Sequence, residues 1–77
     1  MLKLGINAIQ QGKRFVIEAE EDIKVSDLIR KIGTVLKDDG KGLLISCDKE
    51  GILQFGESLS GLYVVPGELL LYVRRSN

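Results

Sequence analysis

The sequence predicts an α+β roll: a mixed sheet with one helix laid across one of its faces. Three observations carry this. Two alternating apolar segments flank the polar interruption Gln10-Gln11-Gly12-Lys13, a single apolar stripe of helical spacing follows, and a further apolar strand segment comes after Val65-Pro66-Gly67-Glu68. A hairpin, one helix and then strands that return to the sheet is an order in which the helix buries one sheet face.

Leu2, Leu4, Ile6 and Ala8 alternate with Lys3, Gly5 and Asn7, the period of a strand with one face buried. Gly12 can take a positive φ in the connection. Phe15, Ile17 and Ala19 resume the alternation opposite Arg14 and Glu18, so these two strands pair antiparallel.

After the non-periodic Glu20-Glu21-Asp22, the residues Val25, Leu28, Ile29, Ile32 and Leu36 fall at i, i+3, i+4, i+7 and i+11, which is one stripe on a helix. Ser26 reads as the N-cap with Asp27 in the first turn, and Lys37 sits near the C-terminal end, where the helix dipole favours a cation. Gly33 costs about 1 kcal/mol relative to Ala inside a helix. It predicts an irregular last turn or an early end, and Asp39-Gly40-Lys41-Gly42 stops the helix in any case.

Leu43 to Cys47 reads as the third strand, Asp48-Lys49-Glu50-Gly51 as a turn and Ile52-Leu53-Gln54 as a short strand segment. Residues 56–62 are loop-like, with room for one helical turn. Pro66 and Gly67 occupy the middle positions of a type II turn, and Leu69 to Arg74 forms the last strand. With no repeat, low-complexity run or linker, residues 1–77 form one domain.

Composition narrows the function. Eleven Lys plus Arg balance eleven Asp plus Glu in 77 residues, which does not suit a general nucleic-acid binder. With no His and a single Cys, a Ser-His-Asp triad and a thiolate zinc site are excluded, and no glycine-rich phosphate-binding string is present. No catalytic residue, cofactor or metal is therefore expected. A lone Cys47 cannot form an intrachain disulfide, so stability of about 4–12 kcal/mol rests on the core. That suits a reducing compartment, with the cytoplasm as the default. No run of about 18 apolar residues signals membrane insertion.

The run VIEAEEDIKVSDLIRKI, Val16 to Ile32, resembles without a gap the second strand and helix start of ubiquitin. SLSGLYVVPGELLLYVRR, Ser58 to Arg75, resembles its last third. The chain is thus similar to the ubiquitin-like β-grasp family, and the resemblance implies a four- to five-stranded mixed sheet packed on one helix. Ubiquitin and the related sulfur carriers end in Gly-Gly, which C-terminal activation requires; here the last residues are Arg74-Arg75-Ser76-Asn77. The resemblance therefore implies a non-conjugating member and disfavours the alternative, a modifier or sulfur carrier activated at its C-terminus. A weaker likeness is to the YukD/EsaB-like bacterial proteins of type VII secretion, which also lack the glycines.

The last strand places Leu70 and Tyr72 on one face and Leu69, Leu71 and Val73 on the other, so both faces are apolar although the single helix covers only one. Leu43, Leu44 and Ile45 also supply both faces, and the alternation leaves open which of Leu44 and Ile45 points outward. Ile9 lies at the hairpin turn, out of phase with the buried residues. In the ubiquitin fold these strands are neighbours. The resemblance then implies a protein-binding surface of Ile9, Leu44 or Ile45, Leu69, Leu71 and Val73, with Arg74 and Arg75 at its rim.

The competing reading is that strand twist buries part of this face, or that the aliphatics are ordinary surface residues. A third reading is a homodimer closing the face on its own copy. The expected function is a non-catalytic interaction module, an accessory or regulatory subunit whose partner is another protein. Cys47 reads as an inert strand cysteine, and Glu18, Glu20, Glu21 and Asp22 as a solvated acidic corner that lacks the spacing of a calcium loop.

Overall fold

A computed structural model describes residues 1–38, 41–46, 51–62 and 64–74. Its elements are β1 (Leu2–Ala8), a 3-10 turn (Ile9–Gln11), β2 (Lys13–Ala19), α1 (Val25–Leu36), β3 (Gly42–Ser46), β4 (Gly51–Ile52) and β5 (Leu69–Arg74). The strands form one five-stranded mixed sheet in the order β2-β1-β5-β3-β4. β1 runs parallel to β5, while β1–β2, β3–β5 and β3–β4 are antiparallel.

The alternation in β1 decides which face is buried. Leu4 pairs with Ile17 and Ile6 with both Phe15 and Leu70, and these side chains turn to the helix. Val25, Leu28, Ile29, Ile32 and Leu36 meet them from above, and Leu44, Leu59, Leu70 and Tyr72 complete a core in which each of the last four is fully buried. Burying one such aliphatic contributes about 1.5–3 kcal/mol, so this single layer is the main favourable term set against the chain's conformational entropy.

Local differences from the sequence expectation each have a physical cause. The helix starts at Val25 and not after Ser26; its N-cap is Lys24, which makes no side-chain capping bond. The free N–H groups of the first turn are met instead by loop carbonyls, Val25 N–H donating to Glu57 O at 2.9 Å and Ser26 N–H to Phe55 O at 3.1 Å. Gly33 neither ends nor breaks the helix, because burial of Leu36 carries it one more turn. Lys37 lies just beyond the last helical residue, in the left-handed region at φ 58. There its N–H donates to Thr34 O while Asp38 N–H donates to Gly33 O, the paired bonds of a Schellman motif. The third strand begins at Gly42. Cys47, Arg75 and the turn residues 48–50 lie outside the described residues, as does Asp39-Gly40 of the expected helix stop.

Pro66-Gly67 forms the expected type II turn. Gly67 has φ 82, and Glu68 N–H donates to Val65 O at 3.2 Å. Gly67 N–H also donates to Lys3 O at 2.7 Å, which delivers β5 to its place beside β1. Below the turn Glu68 is buried, its carboxylate accepting from Ser46 Oγ at 2.8 Å and from Val65 N–H at 3.3 Å. Among the described residues no helix is long and apolar enough to cross a membrane.

Candidate protein-binding face

Registers on the sheet face away from the helix can be followed strand by strand. One row runs Val16, Gly5, Leu69; the next runs Arg14, Asn7, Leu71, Ile45, Ile52; a third pairs Val73 with Leu43. Lys3 and Glu18 form a further pair on the β1–β2 side. The face is therefore divided. Over β1 and β2 it carries Lys3, Arg14, Asn7 and Glu18 together with Gly5 and Val16, and over β5, β3 and β4 it carries only Leu69, Leu71, Val73, Leu43, Ile45 and Ile52.

Exposure agrees with this division. Ile52 is 54% and Leu69 46% exposed, and Leu71, Val73, Leu43 and Ile45 are half-buried. At Gly5 a side chain would stand 3.2 Å from Leu69 Cδ1, so Leu69 lies against the bare backbone of β1, with Val16, 69% exposed, on the far side.

The ambiguity in β3 is resolved. Leu44 pairs with Tyr72 on the helix side and is 0% exposed, so it is a core residue and does not belong to the candidate surface. Ile45 pairs with Leu71 and Ile52 and is the outward residue. Ile9 opens the 3-10 turn and is 51% exposed, and the turn is tied to the end of β5 through Gln10. Arg74 pairs with Gly42 and falls in the alternation of Leu70 and Tyr72, at the end of the sheet and not within the outer rows. The acidic corner, Glu18, Glu20, Glu21 and Asp22, is exposed at every position.

Two contributors to the outer face escape the sequence reading. Val16 stands in phase with Arg14 and Glu18, and that phase is the signal that marks it as outward. Ile52 joins the face only because two residues of β4 pair with β3, and nothing local to Ile52 shows that pairing.

Solved structures share this architecture. A protein designed de novo on the basis of ubiquitin superposes with a TM-score of 0.82 at 19% identity, covering 99% of this chain and 90% of that one. The N-terminal ubiquitin-like domain in the 4931431F19Rik protein superposes at 0.85, also at 19% identity, covering 99% of this chain and 76% of that one. The chain has the ubiquitin-like β-grasp fold. No protein-family model matches the sequence, and no curated protein does. At such identities the β-grasp likeness is one of fold, and function has to be argued from the face itself.

Proposed function

We propose that this β-grasp domain is a non-catalytic protein-interaction module, an accessory or regulatory subunit that binds another protein through the apolar half of its outer face. One observation carries the reading: six aliphatic side chains on three adjacent strands stand together on the side the helix does not cover, with no charged residue among them. An apolar centre bordered by charge is the anatomy of a binding surface, where aliphatic anchors supply affinity and the rim sets orientation. Here the border is Lys3, Arg14 and Glu18 on one side and Lys41, which immediately precedes β3. The single Cys and absence of His in the sequence favour a reducing, cytoplasmic setting and a role without chemistry of its own.

The test compares three immobilised baits in cell extract: wild type, Val73→Asp on the outer face, and Val35→Asp on the helix, where Val35 is 53% exposed. A partner held by wild type and Val35→Asp but lost by Val73→Asp is the expected result. Equal retention by all three overturns the proposal.

A further inference from the structure

Among the described residues β2 is an edge strand, with β1 on one side and no strand on the other. Which of its backbone groups face outward follows from a single bond: Glu18 O accepts from Lys31 Nζ at 2.7 Å. That carbonyl therefore points away from β1. In an antiparallel ladder the N–H and C=O of one residue point to the same side and successive residues alternate. Arg14, Val16 and Glu18 thus present their peptide groups to the open edge, while Phe15 and Ile17 bond to β1.

The charges of these three residues are complementary to themselves when the strand is reversed. Arg14 lies two positions before Val16 and Glu18 two positions after it, all three exposed and on the outer face. Neither charge is taken up by an ion pair among the described residues, where the one salt bridge joins Arg30 to Asp27. When an antiparallel copy is brought against the edge with Val16 opposite Val16, Arg14 falls opposite Glu18 of the second copy, and Glu18 opposite its Arg14. On the helix side the same register sets half-buried Phe15 opposite Ile17, apolar against apolar. All outward peptide groups find partners in this register. The one already occupied, Glu18 O, is held by an exposed lysine that can swing aside. Shifting the register by two residues one way sets Arg14 opposite Val16 and Glu18 opposite Gly12, which removes both charge pairs; shifting it the other way sets Arg14 opposite Glu20, beyond the end of β2, and leaves Glu18 opposite Val16.

We propose that two copies of this chain associate through β2, antiparallel and centred on Val16, to form one continuous sheet. Edge-to-edge pairing of this kind draws its affinity from main-chain hydrogen bonds and its register from the side chains. The two-fold axis stands perpendicular to the sheet, so the apolar outer faces of both copies look to the same side. The interface runs along the β2 edge, apart from the apolar half of the face over β5, β3 and β4.

The experiment is sedimentation of the full chain over a range of concentrations. Wild type shows a reversible monomer–dimer equilibrium. Arg14→Glu alone and Glu18→Arg alone each place two like-charge pairs across the edge and weaken dimerisation by about tenfold or more. An equimolar mixture of the two variants restores the dimer, because every cross-edge pair in the mixed species is again of opposite charge. Val73→Asp, on the other surface, leaves the equilibrium unchanged. Circular dichroism confirms that each exposed-site variant is folded. A wild type that remains monomeric at millimolar concentration, single variants that dimerise as well as wild type, or a mixture that fails to recover the dimer each overturns the proposal.

Discussion

The side-chain amide of Gln10 occupies the place of a peptide group beside Arg74. Its Oε1 accepts from Arg74 N–H at 2.6 Å and its Nε2 donates to Arg74 O at 3.3 Å. The parallel register between β1 and β5 ends at Ala8 and Tyr72, and two residues further on it would set position 10 against position 74. By then the main chain has turned into the 3-10 segment. A primary amide has the donor and acceptor arrangement of a peptide, so it completes the ladder that the backbone has left.

Replacing Gln10 by Ala should therefore loosen the end of β5 more than it harms the core. The expected cost is about 0.5–1.5 kcal/mol in urea unfolding. The Arg74 amide should exchange with solvent faster by a similar free energy. Gln10→Glu keeps the acceptor and loses the donor, and should fall between the two. Unchanged exchange at Arg74 would show that the side chain does not hold the strand.

Gly42 packs against an aromatic ring with no room to spare. A side-chain carbon there would lie 2.8 Å from the Tyr72 hydroxyl oxygen and closer still to the ring. That hydroxyl bonds the Asp38 carboxylate at 3.1 Å, which fixes the ring where it is. Gly42→Ala should destabilise by about 1–3 kcal/mol through overpacking. Combined with Tyr72→Leu, the loss should be smaller than the sum of the two single losses, as a double-mutant cycle by thermal unfolding would read.

Lys37 holds a conformation that costs an L-residue about 1–2 kcal/mol and glycine almost nothing. Part of that gain is offset by the greater freedom of an unfolded glycine. Lys37→Gly should raise stability by about 0.5–1 kcal/mol, seen as a higher urea midpoint at constant slope. A lower midpoint would mean that the ammonium contributes more than the backbone strain.

The two faces of the sheet should respond oppositely to the same charge. Val73→Asp, on the outer side, should cost about 1 kcal/mol and stay folded. Ile29→Asp buries a carboxylate under the sheet and should unfold the domain. In β3 the contrast lies between neighbours. Leu44→Ala should cost about 2–5 kcal/mol, and Ile45→Ala clearly less. Equal losses at 44 and 45 would contradict the assignment of faces.

Where the sequence alternates cleanly, the structure follows it: β1 spans Leu2–Ala8, as the side-chain pattern predicts, and the apolar run after Pro66-Gly67 gives β5 over Leu69–Arg74. Leu43-Leu44-Ile45 has no alternation, so its faces emerge only from pairing with β5. The helix start was hidden for another reason. Capping is read from residue type, whereas Val25 and Ser26 are capped by carbonyls of residues about thirty positions away in sequence. The apolar outer rows were legible from β5 alone. Val16 is marked as outward by its phase with Arg14 and Glu18, whereas Ile52 joins the rows through register, a property of strand pairs that no single segment encodes.

The parallel pairing of β1 with β5 has a mechanical meaning. Tension applied at Leu2 and at Arg74 pulls these two neighbouring strands past each other along their length. The load falls on the ladder from Gly5 to Ala8 as shear, shared by its bonds at once, where a hairpin pulled from its open end would peel one bond at a time. A pull across the ends therefore meets this domain at its most resistant join, in the middle of the sheet.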